Sequence, residues 1–393
     1  MARRSGRYSR RRRRDVGKRQ LQVVKRTGQG IIFLISFGSS IISFTTFGFS
    51  WTTVAFALLI LALLVSLLAN VLLLMGALLN QARPKRIAFL APSSGGQPFY
   101  TAMLTGLVQG ASLAQGQDYI ILPSMPTRSF ESVSIWSLFA SLEDRQFDID
   151  GIIFIPDDPD RYFDEIVGFH EETGDAPLVL VDVYFDLTAC DARTRARLPS
   201  FVGGDEIAGG RIAAEIIIDA LGAPPLSPVV LVINGGTAAW ERQRAHSFRE
   251  CVRREWPATQ FIESPPFKYS RSDAFAYSVE LFKSMATAVQ KIQLHAIFAC
   301  NDDMAIGART AVCLAIREGY SFPQPPQIVG YDGISEIREY INADDPFIAG
   351  TVDVKVEDQA RAAMLLMHRL LRSNERRNDV ELINPQAIRR RGL

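Results

Sequence analysis

From Arg86 onward, short apolar runs alternate with longer stretches in which apolar residues recur every three or four positions. Ile87 to Ala91, Tyr119 to Leu122, Gly151 to Ile155, Pro177 to Val181, Pro228 to Ile233 and His295 to Ala299 read as buried strands. Between them, Tyr100 to Gln115, Glu206 to Leu221, the run from Ser270 or Ser272 to Gln290, and Asp303 to Glu318 carry helical spacing, with Asp205 placed as a cap. Alternation of this kind predicts parallel sheets flanked by helices. Such strands deliver polar residues at their carboxyl ends, where α/β proteins bind ligands. Asn301 and Asp302 follow one apolar run, and Asp332 follows another, Gln327 to Tyr331. Together they can aim an amide and a carboxylate at one small polar ligand.

The N-terminal pattern is different. No ionisable residue lies between Arg26 and Arg83, and Val54 to Leu79 is almost unbroken Leu, Ala, Val and Ile. That length spans a hydrocarbon core of about 30 Å. Upstream, residues 1–30 hold Arg3, Arg4, Arg7, Arg10 to Arg14, Lys18, Arg19, Lys25 and Arg26 against the single acid Asp15. A basic tail leading into an apolar span stays on the cytoplasmic side. A nucleic-acid arm has similar composition, but no helix-turn-helix pattern precedes the span, so no nucleic-acid partner is expected. Ile31 to Ser50 is diluted by Ser, Thr and Gly, and residues 31–82 read as an anchor of one or two spans. One span puts the remaining chain outside the cell. Two return it to the cytoplasm, the option that Arg83, Lys85 and Arg86 favour, but the upstream basic cluster is much the stronger, so a single crossing with the ligand-binding part outside the membrane is expected.

The net charge of +1 conceals this division, because a strongly basic tail leaves the rest net acidic. The stretch after Arg86 is long enough for two lobes. Cys190, Cys251, Cys300 and Cys313 show neither metal spacing nor a disulfide framework. No P-loop, G-x-G-x-x-G at a helix start, H-E-x-x-H or G-x-S-x-G occurs, so neither an enzyme nor a cofactor is expected. Asp157, Asp158 and Asp160 invite a metal reading, but Pro156 and Pro159 break the spacing of a calcium loop.

A set of motifs resembles a known family. It comprises Pro98-Phe99-Tyr100 with Gly106 and Gly110, Ile149-Asp150-Gly151-Ile152-Ile153, Val181-Asp182, Gly204-Asp205 with Gly209-Gly210, and Arg244 with Phe248. Asn301-Asp302-Asp303-Met304-Ala305-Ile306-Gly307 and Val329-Gly330-Tyr331-Asp332-Gly333 complete it. Their order is similar to that in type I periplasmic sugar-binding proteins, such as ribose-binding proteins, and in the core of lac-repressor-type regulators. The resemblance covers roughly Arg86 to Leu393. It implies two Rossmann-like lobes with parallel sheets joined by a three-strand hinge, preceded by the transmembrane helix or helices. The first lobe would comprise 86–203 plus about 353–379, and the second 204–352 plus about 380–393.

Carried over by position, the resemblance implies Phe99 and Tyr100 as aromatic walls and Tyr269 as another. Asp182, Arg244, Asn301 and Asp332 would supply hydrogen bonds, and Gln97 a polar contact. Two departures count against ribose itself: Val183 stands where ribose binders carry Arg, and Val354 near the place of a hinge-side Gln, with Asp353 a possible substitute. With one Arg balanced by carboxylates, the expected ligand is a neutral monosaccharide or similar polyol. Three functions fit: a tethered receptor serving an ABC-type permease, a sensory subunit signalling to a membrane partner such as a kinase, and a cytoplasmic regulator. The sequence carries no output domain, so a sensor would need that partner.

Overall fold

The computed structural model describes residues 51–92, 98–125 and 149–392, apart from 157, 161, 173–175, 186–189, 223–226, 288–292, 321, 323 and 374–377. The chain divides into two units, Met1–Arg83 and Pro84–Leu393. Of the first, the described part is helix α1, Trp51–Ala82. Its 32 residues extend about 48 Å at 1.5 Å per residue. Ala55–Leu74 is long and apolar enough to cross a membrane, and none of it is buried. The basic tail and the diluted segment Ile31 to Ser50 lie outside the described residues.

The second unit contains strands β1 (Lys85–Leu90), β2 (Tyr119–Ser124), β3 (Gly151–Phe154), β4 (Leu178–Asp182), β5 (Ser200–Gly204) and β6 (Val229–Ile233). It continues with β7 (Gln260–Glu263), β8 (Ala296–Ala299), β9 (Gln327–Asp332), β10 (Ile348–Asp353), β11 (Val380–Ile383) and β12 (Gln386–Arg389). These form two six-stranded sheets, ordered β11-β5-β4-β3-β1-β2 and β12-β10-β9-β8-β6-β7. Neighbours are parallel except β10 with β12. The helices are α2 (Pro98–Leu113), α3 (Phe163–Glu172), α4 (Ala192–Arg195), α5 (Glu206–Leu221) and α6 (Ala239–Glu255). The last four are α7 (Arg271–Thr287), α8 (Asp302–Arg317), α9 (Ser335–Asn342) and α10 (Val356–Ser373). Within this unit the architecture is the pair of parallel-sheet α/β lobes that the resemblance implied.

The chain passes between the sheets three times: at Gly204-Asp205, at Asp353-Val354 and at Asn384-Pro385. The third passage comes later than the expected position near residue 380. Val380–Ile383 pairs with β5 and completes the first sheet before the chain crosses, so these residues belong to the first lobe. Asp205 caps α5 as expected, its carboxylate accepting from the Ala208 amide at 2.9 Å.

The apolar runs read as buried strands are buried, as Ile87, Ala88, Phe89 and Leu90 illustrate, except Tyr119 to Leu122, which forms edge strand β2 and stays half-exposed. In the first lobe, α2 packs closely on α10 because two glycines leave room. A Cβ at Gly110 would stand 2.7 Å from the Met364 Cβ, and one at Gly106 would run into the Glu357 carbonyl oxygen. Gly110→Leu is therefore expected to cost about 1–3 kcal/mol by overpacking. A fall in the denaturant midpoint of the full chain would report it, and an unchanged midpoint would show that the helices separate freely.

Candidate ligand-binding crevice

Parallel strands bring Asp182, at the end of β4, and Asp332, at the end of β9, to the carboxyl edges of different sheets. These edges face one another, since Asp182 acts electrostatically on Asp332 and Arg244 acts on both. Both aspartates have left-handed backbone, φ 72° at Asp182 and 113° at Asp332, as does Tyr269 at 62°. Non-glycine residues held there store strain, and such strain clusters where ligands bind. Neither carboxylate has a hydrogen-bond partner among the described residues. Asp332 does not cap α9 either, whose first amides receive no side-chain cap.

Arg244 anchors the second lobe's side. It is 4% exposed, its Nε donates to Glu206 Oε2 at 2.6 Å and its Nη1 donates to the Cys300 carbonyl at 2.6 Å. The guanidinium lies 3.5 Å from the Tyr331 ring centroid, and the Tyr331 hydroxyl donates to the same Glu206 oxygen at 3.0 Å. Gly209 makes this possible, because a Cβ there would collide with that hydroxyl. Burial works to lower the Arg244 pKa, but Glu206 and its other anionic neighbours hold it well above the ordinary value. The charge is therefore fixed, and Nη2 remains as the edge without a partner among the described residues.

An aromatic stack stands beside it. Trp240, one helical turn before Arg244, lies 5.0 Å from the guanidinium and stacks on Tyr269 at 6.1 Å between centroids and 10° between planes. The Tyr269 hydroxyl donates to buried Glu241 at 3.0 Å, and Glu241 also accepts from the Gly235 amide. Burial, with Glu241 next, pushes the Tyr269 pKa well up, so the hydroxyl stays protonated. The Trp240 indole Nε1 is buried with no hydrogen-bond partner among the described residues.

Asn301 caps α8, its side-chain oxygen accepting from the Met304 amide at 2.9 Å, which leaves the amide nitrogen as a donor. Asp302 points the other way, into the second lobe. It accepts from Thr351 Oγ1 at 2.6 Å and from the Ile334 amide at 2.9 Å, tying the ends of β8, β9 and β10 together. Burial raises the pKa of Asp302 and of Asp332, and the neighbouring Asp302 raises that of Asp332 further.

Asp182 is pushed up to about 7 by burial first and by Glu206 second, with Arg244 pulling the other way. Between the unfolded value of about 4 and about 7, the folded chain keeps a proton that the unfolded chain has lost. Folding stability from this group therefore falls as pH rises through that window. Asp182→Asn should melt increasingly higher than the wild type as pH goes from 5 to 8. A constant difference across that range would mean that Asp182 is solvated.

The remaining expected site residues separate. Phe99 is partly buried, edge-on to Tyr100 at 5.3 Å and 81°. Tyr100 is 5% exposed and packs in the hydrophobic core, a correction to its reading as a wall. Asp353 is the register partner of Asp332, but it pairs with Arg338 at 2.9 Å and accepts from the Lys355 amide at 2.9 Å, so it serves the hinge. Gln97 lies outside the described residues. Sequence reasoning missed Glu206, Glu241, Trp240 and Tyr331. The spacing of four between Trp240 and Arg244, which puts them on one helix face, was the available signal. Glu206 looked like an ordinary first-turn acid.

Two parallel-sheet lobes, three connections and polar strand ends facing across a crevice define a two-lobed α/β binding protein. Residues 87–375 match the periplasmic binding protein domain family, and the chain belongs to that family. It is a binding protein, not an enzyme. The ribose import binding protein of Haemophilus influenzae is 30% identical over 146 residues, covering 36% of this chain and 43% of that protein. The ribose import binding protein of Escherichia coli K12 is 28% identical over 171 residues, covering 43% and 51%. The chain thus spans about half the length of the curated relatives it matches. An ABC transporter periplasmic solute-binding protein from Actinobacillus succinogenes 130z with bound D-allose has a TM-score of 0.62 at 21% identity, covering 78% of this chain and 98% of that one. That likeness is one of fold.

Proposed function

We propose that this chain is a membrane-tethered solute receptor that binds a sugar or sugar-like molecule between its lobes and delivers it to an ABC-type permease. What supports the reading is that Asp182, Asn301 and Asp332 lie at the strands' carboxyl ends, and that they and Arg244 have polar edges with no partner among the described residues. Sugar hydroxyls need paired donors and acceptors, and sugar C–H faces pack on aromatic rings such as Phe99 and the Trp240–Tyr269 stack. The ribose-binding and allose-bound relatives support the ligand class. Helix α1 and the basic tail before it support an anchor with the receptor unit outside the cytoplasmic membrane. A bound ligand favours the closed form only through contacts with both lobes, and Asp182 and Asp332 lie on opposite ones. A thermal-shift screen of monosaccharides, polyols and nucleosides on the detergent-solubilised chain tests the ligand class, and stabilisation by amino acids or peptides alone would overturn it. Alkaline phosphatase fused after Leu393 should be active, whereas activity of a cytoplasm-only reporter there would reject the topology.

A further inference from the structure

Arg244 stands at the carboxyl ends of β8 and β9 with most of its bonding capacity already committed. Its Nη1 donates to the carbonyl of Cys300, directly after β8, at 2.6 Å, and its Nε donates to Glu206 Oε2 at 2.6 Å. The guanidinium carbon lies over the Tyr331 ring of β9 at 3.5 Å and over the Trp240 ring at 5.0 Å, so the group has little freedom to turn. The Tyr331 hydroxyl donates to the same Glu206 oxygen at 3.0 Å, which closes a ring of contacts around the ion pair. Both charged side chains are nearly buried, 5% and 11% exposed, so bulk water and salt screen them little.

A ligand carboxylate or phosphate asks two things of an arginine: a fork of N–H donors and a positive charge that is still unmatched. Here Nε and Nη1 are in use, and the charge is matched by Glu206. Nη2 is the nitrogen that remains without a partner among the described residues. An anion docking there would compete with Glu206 for one guanidinium and stand close to a second carboxylate. A hydroxyl needs a single donor and brings no charge.

Resting on the sugar-binding reading, we propose that Glu206 is a specificity-determining residue: by holding and neutralising Arg244, it makes the site accept neutral sugars and reject uronic acids and sugar phosphates. Discrimination against acids then belongs to one first-turn residue of α5, acting through Arg244 as a repulsive element against the wrong ligand.

The test is calorimetric titration of the full chain in detergent with matched pairs: glucose and glucuronate, galactose and galacturonate, ribose and its phosphate ester, and inositol with its monophosphate. Wherever the neutral member binds, its acid should bind at least about ten-fold more weakly, a difference near 1.4 kcal/mol. Glu206→Gln keeps the size and an acceptor for Arg244 and Tyr331 but removes the charge, and it should strengthen acid binding about ten-fold or more. Glu206→Asp keeps the charge, so it should keep the preference even where its shorter reach weakens both members. A purely structural Glu206 would change both members of a pair alike. An unchanged ratio in Glu206→Gln, a preference lost in Glu206→Asp, or an acid that binds the wild type as tightly as its parent overturns the inference and leaves the sugar reading standing. Binding by neither member of any pair overturns both.

Discussion

Arg244→Ala should weaken sugar binding by about one to two decades and also destabilise the chain, and the two effects should separate in a second variant. The guanidinium and Glu206 form a buried pair, with side chains 5% and 11% exposed. Removing one partner strands the other's charge, which typically costs about 3–5 kcal/mol. The Tyr331 hydroxyl keeps one contact to Glu206, so the local loss is partial. Binding suffers independently, because Nη2 is the edge that remains for a ligand. A charge-assisted hydrogen bond is worth about 1.5–3 kcal/mol, or one to two decades in affinity. Replacing both partners, Arg244→Met with Glu206→Gln, removes the stranded charge and keeps the packing on Tyr331. Melting temperature should recover in that double variant while affinity does not. Recovery of both would make Arg244 a structural residue.

Asp332→Asn carries the second large effect, with the opposite sign on stability. Its carboxylate is desolvated, lies near Asp302 and Asp182, and its pKa is raised well above the ordinary range. A charge that the fold destabilises lowers stability wherever it is ionised. The neutral amide should therefore melt at the same temperature as the wild type or higher at pH 8. Affinity should fall by about one to two decades, because an acceptor facing the ligand has become partly a donor. Circular-dichroism melts beside titration calorimetry would show the divergence. A lower melting temperature with unchanged affinity would make Asp332 part of the scaffold.

The sheets were legible because a parallel strand covered on both faces is a continuous apolar run, as in Ile87–Leu90 and Ala296–Ala299. Five strands were missed, of which Ser200–Gly204 and Ile348–Asp353 are buried but have their apolar runs interrupted by Ser, Gly and Thr. Gln260–Glu263, Val380–Ile383 and Gln386–Arg389 mix exposed and half-buried positions and look like loop in one dimension. That explains why the third passage between lobes was expected too early. In the crevice, Asp182, Asn301 and Asp332 were visible because they end apolar runs. Glu206 and Glu241 were not, since each is a first-turn acid of a helix, and only the fold turns them onto Arg244 and Tyr269. Tyr100 was misassigned for a related reason: adjacent aromatics on a helix point about 100° apart, so Phe99 and Tyr100 do not share a wall.

Ligand binding in the crevice formed by the ends of β4, β8 and β9 should be reported by Trp240, which stacks on Tyr269 and approaches the Arg244 guanidinium. Titrating the full chain with the sugar that stabilises it most should produce a saturable change in tryptophan emission. Trp240→Phe should remove that change, and Asp332→Asn should shift its midpoint to higher concentration. Saturable heat in calorimetry with no change in Trp240 emission would place the ligand elsewhere and contradict the account.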